Sequence, residues 1–142
     1  VGLGKAAELA QERLPYMARV EALRDGLEAA LKAALPDLCV HGGASPRLPN
    51  TSLLGFPGLE GEALQLRLSE KGICVSTGSA CTTGRKEPSH VLRAMGVEPA
   101  LARGTIRISL SRFTTEAEIT AVGGLLPGLV QELRGAGPMA RR

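Results

Sequence analysis

The stretch ICVSTGSACTTG at residues 73–84 joins a short apolar run to a segment of small and hydroxylated residues. The apolar run, Ile73–Val75, predicts a β-strand. Glycine at 78 and 84 lets the backbone that follows adopt a positive φ. No side chain in this segment is bulky enough to bury it against a core. The sequence therefore predicts a flexible arm that displays the thiol of Cys81.

The thiol of Cys81 is the first candidate for chemistry. Arg85 and Lys86 follow it, and with the N-terminus of the next helix they favour the reactive thiolate. A lone cysteine is more often a small buried hydrophobe. We expect that for Cys39 and Cys74, because both lie in apolar runs, whereas the neighbours of Cys81 are Ser, Ala, Thr and Gly.

The composition is that of a single domain with a core of aliphatic side chains. The chain has 142 residues, of which 44% are hydrophobic but only 2% aromatic. No apolar run approaches the ~20 residues that span a bilayer, and the first residues lack a leader pattern, so we expect no membrane association. The net charge of +3 is dispersed, which gives no reason to expect nucleic acid. Three unpaired-looking cysteines favour a cytoplasmic location.

Four helices are predicted from apolar spacing, glycine and proline. Apolar residues at three- and four-residue steps predict a long helix over 3–35, kinked or split by Pro15 and ended by Pro36. Helices are also expected over 60–71 and 88–95. A capping box at 115–118 opens a last helix toward Leu133, weakened by glycines and a proline, with a frayed tail over 135–142. Further strands are predicted over 38–41, 51–56 and 104–110.

Arg107 is the second candidate, because a long cation is unusual in the middle of a strand. Ile106, Ile108 and Leu110 alternate with it, so Arg107 belongs to the polar face of that strand. A planar guanidinium there suits bidentate capture of a carboxylate. The alternative is an ordinary surface arginine.

Other catalytic patterns are absent from the sequence. It contains no CxxC, no HExxH, no nucleotide-binding glycine string and no nucleophile elbow, and no metal site is expected. The two histidines, His41 and His90, are not placed by the sequence as a base for Cys81, and each reads as a structural or surface residue.

Several segments together resemble cysteine desulfurases of the NifS/IscS type, in the class V aminotransferase superfamily. Residues 76–81 resemble the active-site loop of that family, and residues 87–96 resemble the segment after it. Residues 104–116 resemble its substrate-arginine strand and the start of its last helix, and residues 48–52 and 61–64 also match. The resemblance runs in order from residue 1 to about 134 and covers only the C-terminal part of the family.

The resemblance implies a role for each candidate residue. In such enzymes pyridoxal phosphate acts as an electron sink while L-cysteine loses its sulfur and leaves as alanine. Cys81 would receive the sulfur as a persulfide and pass it to an acceptor such as an iron–sulfur scaffold. Arg107 would hold the substrate carboxylate. The complete enzyme would be a homodimer.

The resemblance also implies what this chain lacks. None of its lysines, Lys5, Lys32, Lys71 and Lys86, lies in the family's cofactor-binding motif, so we expect no covalent pyridoxal phosphate on this chain. We expect a fragment or a split subunit that is inactive without the lysine-bearing part. The alternatives are a stand-alone persulfide carrier or an inert structural remnant.

The fold implied is α+β. It corresponds to the small C-terminal domain of a fold-type I pyridoxal-phosphate enzyme, with a short mixed or antiparallel sheet and helices on one face. Residues 1–35 would form an interdomain helix and residues 36–134 the small domain, with the active-site loop over 76–88.

Overall fold

The computed structural model describes residues 1–77 and 89–136. Six α-helices lie within these two ranges: α1 Gly2–Glu12, α2 Met17–Ala34, α3 Gly61–Ser69, α4 His90–Ala94, α5 Pro99–Arg103 and α6 Glu116–Ala136. The same ranges contain four strands: β1 Cys39–Val40, β2 Thr51–Gly55, β3 Ser76–Thr77 and β4 Thr105–Ser109. In these two ranges, no helix has the length and apolar character that would let it cross a membrane.

The four strands form one sheet in the order β1-β2-β4-β3, and every neighbouring pair is antiparallel. The predicted α+β class is confirmed, and the sheet is antiparallel rather than mixed. Because β2 and β4 are the central strands, their residues can be buried on both faces.

Alternation along β4 sets the two faces of the sheet. Ile106 and Ile108 point into the core and belong to the same cluster as the buried side chains of α2, α3 and α6. Arg107 and Ser109 are exposed on the opposite face, which we call the outer face. The predicted alternation is thereby confirmed for these residues, as period-two patterning requires.

The long N-terminal helix is split at Pro15, as predicted. α1 ends at Glu12, a 3₁₀ turn covers Leu14–Tyr16, and α2 begins at Met17. Proline lacks an amide hydrogen, so the α-helical hydrogen-bond ladder is interrupted there. α2 buries its apolar stripe in the core, whereas none of the residues of α1 is buried.

The strand predicted over Ile73–Val75 is wrong. The strand, β3, lies at Ser76–Thr77, where the backbone pairs with β4. Ile73 and Val75 instead pack, half-buried, against the core. Cys74, expected to be buried, is exposed, because it alternates with these two core-facing residues.

Helices α3, α4 and α6 differ from their predicted extents, with α3 covering Gly61–Ser69 rather than 60–71, and α5 was not predicted. α6 continues through Pro127 to Ala136, so the tail expected to fray from 135 is helical for two more residues. The buried residues Leu126, Leu129 and Val130 hold this helix on the core. α4 begins at His90 rather than 88. The capping box of α6 is confirmed by a 2.7 Å bond from the Thr115 amide to the Glu118 carboxylate.

Candidate functional site

Arg107 lies in the middle of the outer face, at the centre of β4. The strand register places Leu53 of β2 on one side of it and Ser76 of β3 on the other. Directly paired residues of an antiparallel sheet point to the same face, so all three side chains leave the outer face together. The side chain of Arg107 therefore leaves the central strand β4 between those of Leu53 and Ser76.

Within the described residues, the guanidinium of Arg107 has no ion-pair partner. It is exposed, and within residues 1–77 and 89–136 no carboxylate oxygen lies within 4.0 Å of it. Other arginines, including Arg24, Arg47 and Arg67, are held by carboxylates of this chain. A guanidinium without an internal carboxylate partner can bind an external carboxylate through two parallel hydrogen bonds.

Cys81 lies outside the described residues, as do Arg85 and Lys86, but the strand that leads to the cysteine is described. The side-chain amide of Gln65 donates a 2.9 Å hydrogen bond to the Val75 carbonyl, which attaches this segment to α3. β3 then follows directly, with Ser76 opposite Arg107. The chain that leads to Cys81 therefore departs from the strand next to the candidate carboxylate site.

His41 makes a structural hydrogen bond with Thr105 rather than contributing to the candidate site. Its Nε2 lies 3.2 Å from the hydroxyl of Thr105, which donates its own hydrogen to the Leu101 carbonyl at 2.9 Å. Nε2 must therefore carry the hydrogen that Thr105 accepts. Burial lowers the pKa of His41, which favours the neutral imidazole with its hydrogen on Nε2. His90 is exposed.

A buried ionic cluster fixes the loop before β2. Glu28 of α2 accepts two 2.7 Å hydrogen bonds from Arg47 and a third from the buried hydroxyl of Ser52. Arg24, also buried, donates to the Leu48 carbonyl at 2.8 Å. Burial alone would raise the pKa of Glu28, but the hydrogen bonds and the positive charges outweigh it, and the pKa is lowered. The cluster anchors the loop, and with it β2, to α2.

The described residues do not fit covalent attachment of pyridoxal phosphate. Lys5, Lys32 and Lys71 are exposed on α1, on α2 and after α3, and none of them lies on the outer face beside Arg107. Nor do three or more His, Cys, Asp or Glu side chains of the described ranges converge on a possible metal position. Within residues 1–77 and 89–136, no lysine therefore lies beside Arg107 to hold the cofactor.

The sheet, its outward arginine and the sequence comparisons point to one family. The chain belongs to the aminotransferase class-V family, whose sequence profile matches residues 1–122.

Relatives within this family are cysteine desulfurases. The chain is 52% identical over 140 residues to cysteine desulfurase 2 of Trichormus variabilis, covering 99% of this chain and 35% of that protein. It is 48% identical over 139 residues to cysteine desulfurase NifS of Azotobacter vinelandii, covering 97% and 35%. The chain thus spans about a third of the length of the relatives it matches.

A solved structure has the same fold. The NifS-like protein from Rickettsia africae superposes with a TM-score of 0.78 at 30% identity, over 92% of this chain and 33% of that one. The recognition of a NifS-type cysteine desulfurase sequence is therefore confirmed, as is the fold of such enzymes.

The sequence predicted that Arg107 lies on the polar face of its strand, but it did not reveal two long-range contacts elsewhere in the chain. The cluster around Glu28 and the tie between His41 and Thr105 join residues far apart in sequence. One signal was available for the cluster, because Arg24 and Glu28 are four residues apart on the same helix face as the apolar residues Leu27 and Leu31.

Proposed function

We propose that this chain is the sulfur-accepting, C-terminal portion of a pyridoxal-phosphate-dependent cysteine desulfurase. It takes the sulfur of L-cysteine as a persulfide on Cys81, releases alanine, and delivers the sulfur for iron–sulfur cluster or thio-cofactor assembly. The identity of about 50% to cysteine desulfurases supports this assignment. The proposal includes a cytoplasmic location and a homodimer in the complete enzyme.

The pairing of β3 with β4 is the observation on which the proposal rests. It sets Ser76 opposite Arg107, so the segment with the nucleophile leaves the sheet beside the carboxylate anchor. Cys81 lies four positions after Thr77, and a fully extended chain of four residues spans at most about 14 Å. A small amino acid bound at Arg107 is therefore within the range of the Cys81 thiol.

Each of the two residues has a defined task in the reaction. Arg107 binds the α-carboxylate of L-cysteine and fixes the position of its sulfur. The thiolate of Cys81 attacks that sulfur, so a sulfur–sulfur bond forms while the carbon–sulfur bond breaks. The electron pair of the broken bond stays with carbon, which takes up a proton and becomes the methyl group of alanine. Pyridoxal phosphate, bound by the lysine-bearing part, supplies the electron sink.

The exposed N-terminal helix supports the proposed interdomain role of residues 1–35. Leu3 of α1 is 85% exposed, Leu14 of the following 3₁₀ turn is 64% exposed, and α1 buries no residue of its own. Exposed leucines on an amphipathic helix are typical of a surface that another part of the protein covers. We infer that α1 packs on the lysine-bearing part and that the chain is inactive without it.

The competing function is a stand-alone persulfide carrier, which the absence of a lysine beside Arg107 in the described ranges favours. The two functions are separated by alanine formation from L-cysteine and pyridoxal phosphate, measured with and without the lysine-bearing part. Alanine that appears only when both parts are present supports the desulfurase. A carrier would form no alanine with either mixture, but a separate desulfurase would load sulfur onto Cys81.

Two cysteine variants complete this experiment. Cys81→Ser should abolish sulfur transfer while pyridoxal phosphate still binds, because only the nucleophile is lost. Cys74→Ser is the matched control, since Cys74 is an exposed thiol seven positions earlier. Full turnover by the Cys81→Ser enzyme would reject Cys81 as the nucleophile.

A further inference from the structure

The two flanks of Arg107 differ in distance as well as in size. In the β2–β4 pair, the Leu110 amide donates to the Asn50 carbonyl and the Phe56 amide donates to the Gly104 carbonyl. Hydrogen-bonded and non-hydrogen-bonded pairs alternate along an antiparallel ladder. The pair Leu53/Arg107 lies three positions from each of the hydrogen-bonded pairs Asn50/Leu110 and Phe56/Gly104. Because three is an odd number of positions, Leu53 and Arg107 form a non-hydrogen-bonded pair. Their Cα atoms are about 4.5 Å apart and their side chains are close.

The opposite flank follows from the same alternation. In a non-hydrogen-bonded pair, the N–H and C=O groups point away from the partner strand, so those of Arg107 point away from β2 and toward β3. Arg107 and Ser76 therefore form a hydrogen-bonded pair, with Cα atoms about 5.5 Å apart. A large apolar side chain thus lies close on the β2 side, and a small hydroxylated side chain lies farther away on the β3 side. Of the two residues paired with Arg107, the smaller and more distant one is therefore on the β3 side.

This deepens the proposed function and rests on it: we propose that Leu53 and Ser76 are positioning residues that aim the guanidinium of Arg107 toward β3. Leu53 packs along the methylene groups of Arg107 and blocks the β2 side, as apolar residues often do with arginine stems. Ser76 leaves the β3 side open. The guanidinium, and the carboxylate bound to it, are thereby held on the side from which the Cys81 segment departs.

The chemical consequence concerns specificity for a carboxylate. An aimed guanidinium places both of its parallel donors on one carboxylate, whereas a freely swinging one binds less selectively. Opening the β2 side or filling the β3 side should therefore reduce the preference for L-cysteine over L-cysteine amide, which has no carboxylate. A change that merely weakened the sheet would lower activity on both compounds alike.

The experiment uses the complete desulfurase that contains this chain, assayed for kcat/KM on L-cysteine and on L-cysteine amide. Leu53→Ala should lower the ratio of the two values about three- to fivefold, the effect of losing one cross-strand contact. Ser76→Leu should lower it by about tenfold or more, because a large side chain then occupies the open side. Leu53→Met keeps the volume and should restore the ratio.

Thr51→Ala is the matched control, since Thr51 is a half-buried outer-face residue of β2 that pairs with Ser109 instead of Arg107. Its ratio should stay within about twofold of the parent enzyme. The inference is overturned if Leu53→Ala and Ser76→Leu both keep the parental ratio while Arg107→Ala loses it, and the proposed function then stands. If Arg107→Ala also keeps the ratio, the carboxylate role of Arg107 fails, and the inference fails with it.

Discussion

The buried cluster around Glu28 allows a quantitative test of how the loop and β2 are held. The Glu28→Gln variant keeps the shape of the side chain but removes its charge and replaces one acceptor oxygen by an NH₂ donor. Arg47, which donates to both carboxylate oxygens at 2.7 Å, then faces a donor with one of its two NH groups. Ser52 keeps an acceptor in the remaining amide oxygen.

The expected cost follows from burial. Removing one partner of a fully buried ion pair costs about 3–5 kcal/mol. The side chains of Glu28 and Arg47 are 8% and 20% exposed, so water screens the pair in part. We therefore expect a loss of about 2–3 kcal/mol, which for a chain of this size lowers Tm by roughly 6–9 °C.

Urea denaturation followed by circular dichroism measures this loss directly. Glu132→Gln is the matched control, because Glu132 pairs with Arg67 across the surface and the two side chains are 55% and 35% exposed. Such a pair contributes about 0–1 kcal/mol. The reasoning is refuted if Glu28→Gln and Glu132→Gln destabilise the chain equally.

Three further predictions concern stability. Because the pKa of Glu28 is lowered in the folded chain, the ionised Glu28 stabilises the fold fully above the ordinary carboxyl range, and this stabilisation is lost as pH falls below about 4. The urea midpoint should therefore fall less steeply between pH 7 and pH 3 for Glu28→Gln than for the parent. Gly104→Ala should cost about 2–4 kcal/mol in urea denaturation, because a Cβ there would overlap the carbonyl oxygen of Phe56, whereas Gly128→Ala, with open space around it, should be neutral or stabilising. Thr115→Ala should lower Tm by about 3 °C in calorimetry, since it removes a helix cap, and an unchanged Tm would show that the capping box is not stabilising.

The helices were predictable because their signals are local. Proline at 15 interrupts a run of helical spacing, and the Thr115–Glu118 capping box marks the start of α6 within four residues. The alternation around Arg107 is equally local, so the strand and its outer face could be predicted. Each of these signals depends on neighbours a few positions away in sequence.

The elements that were missed depend on distant partners or on very short signals. β3 is a strand because Ser76 and Thr77 pair with β4, and the apolar run before it does not reveal that register. α5 has only five residues, too few for a periodic pattern. Its start was marked, however, by Pro99 and by Glu98, whose carboxylate accepts from two amides of the helix.

The measurement that tests the central claim most directly is the mass of the cysteine-containing peptides after the complete enzyme turns over L-cysteine once. The account predicts one added sulfur atom on the peptide with Cys81 and none on the separated peptide with Cys74, in step with the release of alanine. Alanine release with the added sulfur on Cys74, or with none on Cys81, would contradict it.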